Sequence, residues 1–165
     1  MLILQLSTFT FTGTNNADVI STYDLNITYP GNSGFEVLGL SGDDTIRLSI
    51  MGRVGVDIAW GGDGNDFMSG SAYFSDYAAA IFDGGFGNDK VYFSLMSPEL
   101  NSDGKPNFLR TSSTTTQIVL TAWDGSNLTA VISDTVERIG FGATGETYLT
   151  EDIANDRISP VNWSE

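Results

Sequence analysis

The chain has 165 residues, of which 21 are acidic and seven are Lys or Arg, and it contains neither histidine nor cysteine. A net charge of −14 argues against nucleic-acid binding, which needs basic patches. The missing cysteine and histidine exclude disulfides, thiolate metal sites and imidazole ligands, so a bound metal would need oxygen ligands, as calcium does.

The length suits a single domain over residues 1–165, and the predicted elements are almost all short strands. The first strand is indicated by alternating apolar residues, Leu2, Leu4, Leu6, Phe9 and Phe11. This start lacks the basic region and cleavage site of a signal peptide, and no apolar run is long enough for a transmembrane helix. Glycine-rich turns separate further strand-like runs at 24–29, 35–40, 45–50, 54–60, 78–82 and 90–95.

Four of the turns resemble one another and recur at a nearly constant spacing. They read GTNNADVIS (13–21), GLSGDDTIR (39–47), GGDGNDFMS (61–69) and GGFGNDKVY (84–92). Their first glycines are 26, 22 and 23 residues apart, which predicts a chain that returns to the same edge once per layer. The apolar residue two beyond each aspartate is predicted to begin a strand and to point inward: Ile20, Ile46, Met68 and Val91.

Stacked turns would bring four aspartates, Asp18, Asp44, Asp66 and Asp89, into a file about 4.8 Å apart. Two carboxylates at that separation repel by roughly 0.9 kcal/mol in water and about 3.5 kcal/mol at an effective dielectric near 20. Such a file requires a cation, and calcium accepts six to eight oxygens, including backbone carbonyls and carboxylates. The alternative is that these are simple Gly-Asp turns without a metal.

The turn beginning at Gly61 fits the nonapeptide G-G-x-G-x-D-x-U-x and resembles the calcium-binding repeat of the hemolysin-type (RTX) family. The match is full at Gly61 and Gly84 and partial at Gly39, where Leu40 replaces the second glycine. In the first copy only Gly13, Asp18 and Ile20 fit. The resemblance covers about residues 13–95. It implies an all-β fold: a right-handed parallel β-roll or β-helix with calcium-binding turns stacked on one edge and a C-terminal β cap.

This chain departs from the family by inserting 13 to 17 residues between copies, so ion sites are expected along one edge only. The resemblance implies two or three Ca²⁺ ions between stacked turns. The candidate ligands, through side chains or carbonyls, are Asp18, Gly39, Ser41, Asp43, Asp44, Gly61, Asp63, Gly64, Asp66, Gly84, Phe86, Gly87 and Asp89.

After the repeats at 1–96, residues 97–116 are polar and are predicted to form an exposed loop that contacts a partner or merely connects. Two alternating runs flank Asp124-Gly125, a strong hairpin signal. Residues 136–149 resemble the segment that closes hemolysin-type rolls, which predicts a cap at 117–165. The Asp134–Val136 echo of the motif lacks glycines and is not assigned a metal.

Three functions follow. The first is an exported calcium-binding β-roll protein that folds on binding Ca²⁺ and has a structural or adhesive role with a cell-surface or protein partner. The family implies type I-like secretion for it. The second is the C-terminal secretion module of a larger secreted protease or lipase, although the chain starts at a methionine and carries its own cap. The third is an enzyme using, for example, Glu137 and Glu146 as glycosidase carboxylates. Without histidine, cysteine or a serine nucleophile elbow, we expect no catalysis.

Overall fold

The computed structural model of the protein describes residues 8–22, 34–51, 55–73, 78–94, 96–122, 124–125, 127–155 and 157–161. This part of the chain is mostly β, as predicted. The predicted strand at 24–29 and the apolar residues Leu2, Leu4 and Leu6 lie outside the described residues. Most connections on the side opposite the repeat turns also lie outside them.

Fourteen strands and a short C-terminal helix can be described. The strands of the repeat region are β1 (Phe9–Thr12), β2 (Val19–Ser21), β3 (Phe35–Ser41), β4 (Thr45–Met51), β5 (Val56–Asp63), β6 (Phe67–Tyr73), β7 (Ala78–Phe86) and β8 (Asp89–Phe93). They are followed by β9 (Met96–Pro98), β10 (Leu109–Arg110), β11 (Thr115–Ala122), β12 (Asn127–Ser133), β13 (Val136–Phe141), β14 (Glu146–Leu149) and the helix α1 (Thr150–Ala154). None of the helices that can be described is long and apolar enough to span a bilayer.

Strands β1 to β8 alternate between two parallel-rich sheets. The first sheet has the order β1-β3-β5-β7-β12-β11-β10, with β9 also paired to β11. The second has the order β14-β13-β8-β6-β4-β2. Parallel pairing extends from β1 to β12 in the first sheet and from β2 to β13 in the second. Within the described residues neither sheet closes into a barrel. Each odd strand from β1 to β7, together with the even strand that follows it, therefore adds one layer.

The core fills the space between the sheets. Ile46 pairs with Met68 and Met68 with Val91, and all three are fully buried, as the repeat pattern predicts. Ile20 in the first copy is partly buried and packs against the same core. Phe82 and Phe93, from opposite sheets, meet edge to face with ring centroids 5.6 Å apart. Every second side chain along these strands points inward, and the packing of these side chains holds the layers in register.

The C-terminal segment continues both sheets before it ends them. Strand β12 lies parallel to β7, and β13 lies parallel to β8. The predicted hairpin is confirmed: β11 and β12 pair antiparallel from Thr121 and Asn127 outward, and Gly125 has a φ of +84°. Residues 97–116 include β10, the end of β9 and a bridge from Leu100 to the buried Pro106.

A left-handed backbone recurs at the second position of the repeat turns. Leu40 lies opposite Gly62, and Gly62 lies opposite Gly85. Their φ angles are +82°, +108° and +95°. For a residue with a Cβ atom this conformation costs roughly 1–2 kcal/mol, a cost that glycine avoids. The partial motif match at Leu40 therefore keeps the turn geometry at the expense of backbone strain.

We expect Leu40→Gly to raise the free energy of unfolding by up to about 1 kcal/mol, because relieved strain exceeds the entropy that glycine loses on folding. Leu38→Gly is the matched control. Leu38 lies on the same strand without a positive φ, and its substitution should lower stability by about 1 kcal/mol or more. Urea denaturation of both variants measures the difference. Equal losses of stability would contradict this account.

Candidate metal centre

The four repeat aspartates stand at one edge of the molecule, in the turn that carries the chain from one sheet to the other. Each precedes or begins an even-numbered strand: β2, β4, β6 or β8. Asp44, Asp66 and Asp89 are only 1%, 2% and 0% exposed, whereas Asp18 is half-buried. The structure therefore brings these four predicted site residues together in one file, and it places three of their carboxylates in the interior.

One oxygen of each of the three buried carboxylates ties its layer to the layer before. The backbone N–H of Asp18 donates to Oδ1 of Asp44 at 2.7 Å, and that of Asp44 donates to Oδ1 of Asp66 at 2.8 Å. The N–H of Asp66 donates to Oδ1 of Asp89 at 2.7 Å. Hydrogen bonds from backbone N–H groups to carboxylates are the stronger, charge-assisted kind. This ladder fixes where the other oxygens point.

The second oxygens have no such bond. Oδ2 of Asp44, Asp66 and Asp89 is buried without a hydrogen-bond partner among the described residues. Leaving a buried carboxylate oxygen unpaired is costly, so such atoms call for an explanation in a native fold. The three orphaned oxygens recur at the same place in three successive layers.

Each orphaned oxygen occupies a space that a glycine leaves open. A Cβ added to Gly39 would stand within 3.0 Å of both Oδ2 of Asp44 and the carbonyl oxygen of Gly61. A Cβ on Gly61 would likewise meet Oδ2 of Asp66 and the Gly84 carbonyl oxygen. The first glycine of each motif is therefore required for space. It allows a carboxylate oxygen and a carbonyl oxygen from the next layer to converge.

The electrostatics of the file are unfavourable without a counter-charge. Burial raises the pKa of Asp44 and of Asp66, and their acidic neighbours raise it further, against the lowering effect of the backbone hydrogen bond. The pKa of Asp89 rises to about 6, first through burial and then through the charges of Asp66, Glu137 and Asp83. A raised carboxyl pKa means that the fold disfavours the ionised form.

In the first turn, a residue of the same turn pairs with the second oxygen of the aspartate. Oδ2 of Asp18 accepts hydrogen bonds from the Thr14 backbone N–H at 2.5 Å and from the Thr14 hydroxyl at 2.9 Å. Thr14 stands where the later full copies have a second glycine. The oxygen that is orphaned in the next three layers is thus already paired in this one.

The remaining predicted residues lie on the exposed side of the same turns. Ser41 pairs with Asp63, and Asp63 pairs with Phe86, which is 80% exposed. The carbonyls of Asp63 and Phe86 accept the N–H groups of Gly42 and Gly64. Gly64 and Gly87 both have a φ of +149°.

Asp43 belongs to a second, outer ladder rather than to the buried file. Its Oδ1 accepts the Asn65 N–H at 2.7 Å, and Oδ1 of Asn65 accepts the Asn88 N–H at 3.0 Å. The two asparagines were not singled out from the sequence, although both occupy the fifth position of the full motif copies. This outer ladder also ties adjacent layers together.

Sequence reasoning did not place Thr135 and Glu137 in the file, which they extend beyond the repeats; it considered Glu137 only as a possible glycosidase carboxylate. The Asp89 N–H donates to Oε2 of Glu137 at 2.5 Å, and the Gly84 N–H donates to the Thr135 hydroxyl at 3.0 Å. Neither residue lies in a glycine turn. The only signal was the glycine-free Asp134–Val136 echo, which brackets Thr135.

The arrangement can supply a cation with a carboxylate oxygen from one layer and a carbonyl oxygen from the next. Such mixed oxygen sets suit hard cations. No group of three or more acidic side chains in the described part of the chain is gathered into a metal-binding cluster. Any cation there would depend on backbone oxygens as well as carboxylates.

Comparisons of the chain with protein-family models, curated proteins and solved structures gave no match. Three features of the chain itself support a metal centre. These are the buried carboxylates, their unpaired oxygens and the glycine spaces beside them.

In the presence of a chelator, we expect the protein to become more stable as the pH falls from 7 to 5. The folded pKa of Asp89 is about 6 against an ordinary value of 3.8, so stability is lost as the pH rises through that window. Urea denaturation in EDTA at pH 7, 6 and 5 measures the trend. Asp89→Asn should weaken the trend, and a wild-type midpoint that falls on acidification would contradict it.

Proposed function

We propose that the stacked turns bind Ca²⁺ and that ion binding drives the chain into a right-handed parallel β-roll. The observation that carries this proposal is the recurrence of a buried aspartate with an unpaired oxygen at Asp44, Asp66 and Asp89. The alternation of strands between two parallel-rich sheets supports the β-roll interpretation. The resemblance of the Gly61 and Gly84 turns to the RTX nonapeptide points to the same ion.

The energetic argument is that a buried anion must be paired or neutralised. The desolvation penalty of a buried carboxylate is several kcal/mol, and neighbouring carboxylates add repulsion. A divalent cation between the layers offsets both terms and gives each orphaned oxygen a partner. An oxygen-only site with backbone carbonyls favours Ca²⁺, since Mg²⁺ demands near-octahedral geometry and keeps its waters.

Two ion positions follow from the repeats themselves. One lies between Oδ2 of Asp44 and the Gly61 carbonyl, and the other lies between Oδ2 of Asp66 and the Gly84 carbonyl. Further carbonyls of the turns and water would complete six to eight ligands. The first turn is not assigned an ion, because Thr14 already satisfies Asp18.

This chemistry fits a protein that works outside the cell. Extracellular calcium modules bind Ca²⁺ with dissociation constants of about 10⁻⁴ to 10⁻³ M. Cytosolic calcium concentrations are far too low to saturate sites of that affinity. We propose an exported protein with a structural or adhesive role. In this proposal the ordered roll presents its outer faces to a cell-surface or protein partner only after export.

Calcium removal should markedly lower the stability of the folded chain. At a free Ca²⁺ concentration one hundred times the dissociation constant, each site adds about 2.7 kcal/mol to the free energy of unfolding. We expect EDTA to lower the melting temperature markedly and to reduce the β signal in circular dichroism, and millimolar Ca²⁺ to restore both. Mg²⁺ at equal concentration is the control. Identical melting curves with EDTA and Ca²⁺ would defeat the proposal.

Asp66→Asn should have opposite effects with and without calcium. The amide keeps one oxygen for the Asp44 N–H and places a donor near the Gly84 carbonyl, so the metal-free fold gains a hydrogen bond in place of a buried charge. The same change removes a ligand oxygen. We therefore expect higher stability in EDTA and one fewer Ca²⁺ bound per chain.

Asp63→Asn is the matched control for that experiment. Asp63 lies in the same turn and undergoes the same change of charge. Its side chain is exposed, and although the sequence named it as a candidate ligand, its carboxylate belongs to neither ion position proposed above. We expect it to bind as many ions as the wild type. Equilibrium dialysis and urea denaturation in EDTA measure the two quantities, and equal behaviour of both variants would refute a role for the Asp66 carboxylate.

A further inference from the structure

The carboxylate file does not stop at the last repeat. The backbone N–H of Asp89 donates to Oε2 of Glu137, just as the N–H of each earlier aspartate donates to the carboxylate of the next layer. Glu137 lies 48 residues further along the chain, in β13. A glutamate from outside the repeats therefore stands where a fifth aspartate would be.

A β-bulge puts Glu137 in that place. Val136 pairs with Asp89 and Arg138 pairs with Lys90, so Glu137 is the extra residue between two consecutive positions of β8. The added residue changes the direction of a side chain, which is a recognised effect of β-bulges. Here it turns the Glu137 side chain toward the start of β8. The longer glutamate side chain can then reach the Asp89 N–H.

Thr135 completes the imitation of a repeat turn. In the first layer, the Gly13 N–H donates to a backbone carbonyl, that of Leu38, at 2.7 Å. In the last layer, the Gly84 N–H donates instead to the Thr135 hydroxyl, which itself donates to Oδ1 of Asp83 at 3.0 Å. Side-chain oxygens thus replace the turn that this layer lacks.

We propose that Asp89 and Glu137 form a further Ca²⁺ site, which closes the file at its C-terminal end. The proposal rests on the calcium function argued above. Asp89 is fully buried and its Oδ2 has no hydrogen-bond partner among the described residues. Glu137 contributes a second carboxylate, of which only Oε2 receives the Asp89 N–H. This pair would supply two carboxylates, whereas each ion position proposed above uses one carboxylate and one carbonyl oxygen.

The surroundings of the pair favour a cation over another neutralising group. Asp83 adds a third acidic group nearby, through Thr135. Asp134 is already paired with Arg110 and does not compete. A cavity of about 460 Å³ borders Glu137 and Asn88 and leaves room for water ligands on the Glu137 side of the pair. Arg138 also lines this cavity. The test must therefore distinguish a bound cation from neutralisation of Glu137 by Arg138.

The test counts bound ions. Equilibrium dialysis of the full chain at saturating Ca²⁺ should give three ions per chain for the wild type and two for Glu137→Gln. The glutamine keeps an oxygen for the Asp89 N–H, so the layer contact survives while the charge is lost. Glu151→Gln is the matched control, since Glu151 lines the same cavity but is largely exposed, and three ions should remain.

A second variant keeps the proposal testable if Glu137→Gln folds poorly. Asp89→Asn removes the other carboxylate and should lose the same single ion, so the Asp89→Asn/Glu137→Gln double variant should lose one ion and not two. Glu137→Gln that retains every wild-type ion would overturn this inference, and would favour Arg138 as the counter-charge, without touching the repeat sites. A wild type that binds no calcium would instead refute the proposed function itself.

Discussion

Carboxylates buried one above another are the constraint on which the rest of this structure depends. Parallel strands in register repeat every side chain at the spacing of the strands, so an acidic residue in one layer meets an acidic residue in the next. Asp44, Asp66 and Asp89 are all interior. Their Oδ1 atoms accept hydrogen bonds from backbone N–H groups, and no described residue pairs with the row of second oxygens that remains.

The surrounding fold is organised so that this row is kept in place. Inward residues two positions beyond each aspartate, Ile46, Met68 and Val91, pack in the core and prevent the strands from slipping. A slip of one residue would expose that apolar set, so the hydrophobic register and the carboxylate register enforce each other. The outer ladder of Asp43, Asn65 and Asn88 adds neutral or singly charged contacts on the solvent side.

Much of the fold could be predicted because the repeat is a local signal with a long-range consequence. The strands β3, β4, β7 and β8 lie where alternation and glycine turns indicated them. The spacing of the aspartates alone predicts that they stack. Periodicity is informative here, since equal spacing in a sequence can place equivalent residues side by side in space.

The ends of the file could not be predicted, because there the layers are completed by residues of different types. Thr14 pairs Asp18 with a hydroxyl where a glycine was expected. Glu137 reaches its position through a bulge that no motif announces, and its partner Asp89 is 48 residues away. Sequence patterns describe what repeats, whereas the first and last layers are defined by how they differ from the repeat.

The hydrogen bonds from each aspartate N–H to the carboxylate of the next layer all run in one direction, and this limits how such a chain can change in length. Every rung connects an amide to the carboxylate of the following layer, so a whole layer duplicated within the stack would find the same neighbours above and below. A partial insertion within a turn would break two rungs at once. The molecule is therefore extensible only in complete steps of about 22 to 26 residues, the separations of its existing rungs, while its dissimilar ends stay where they are.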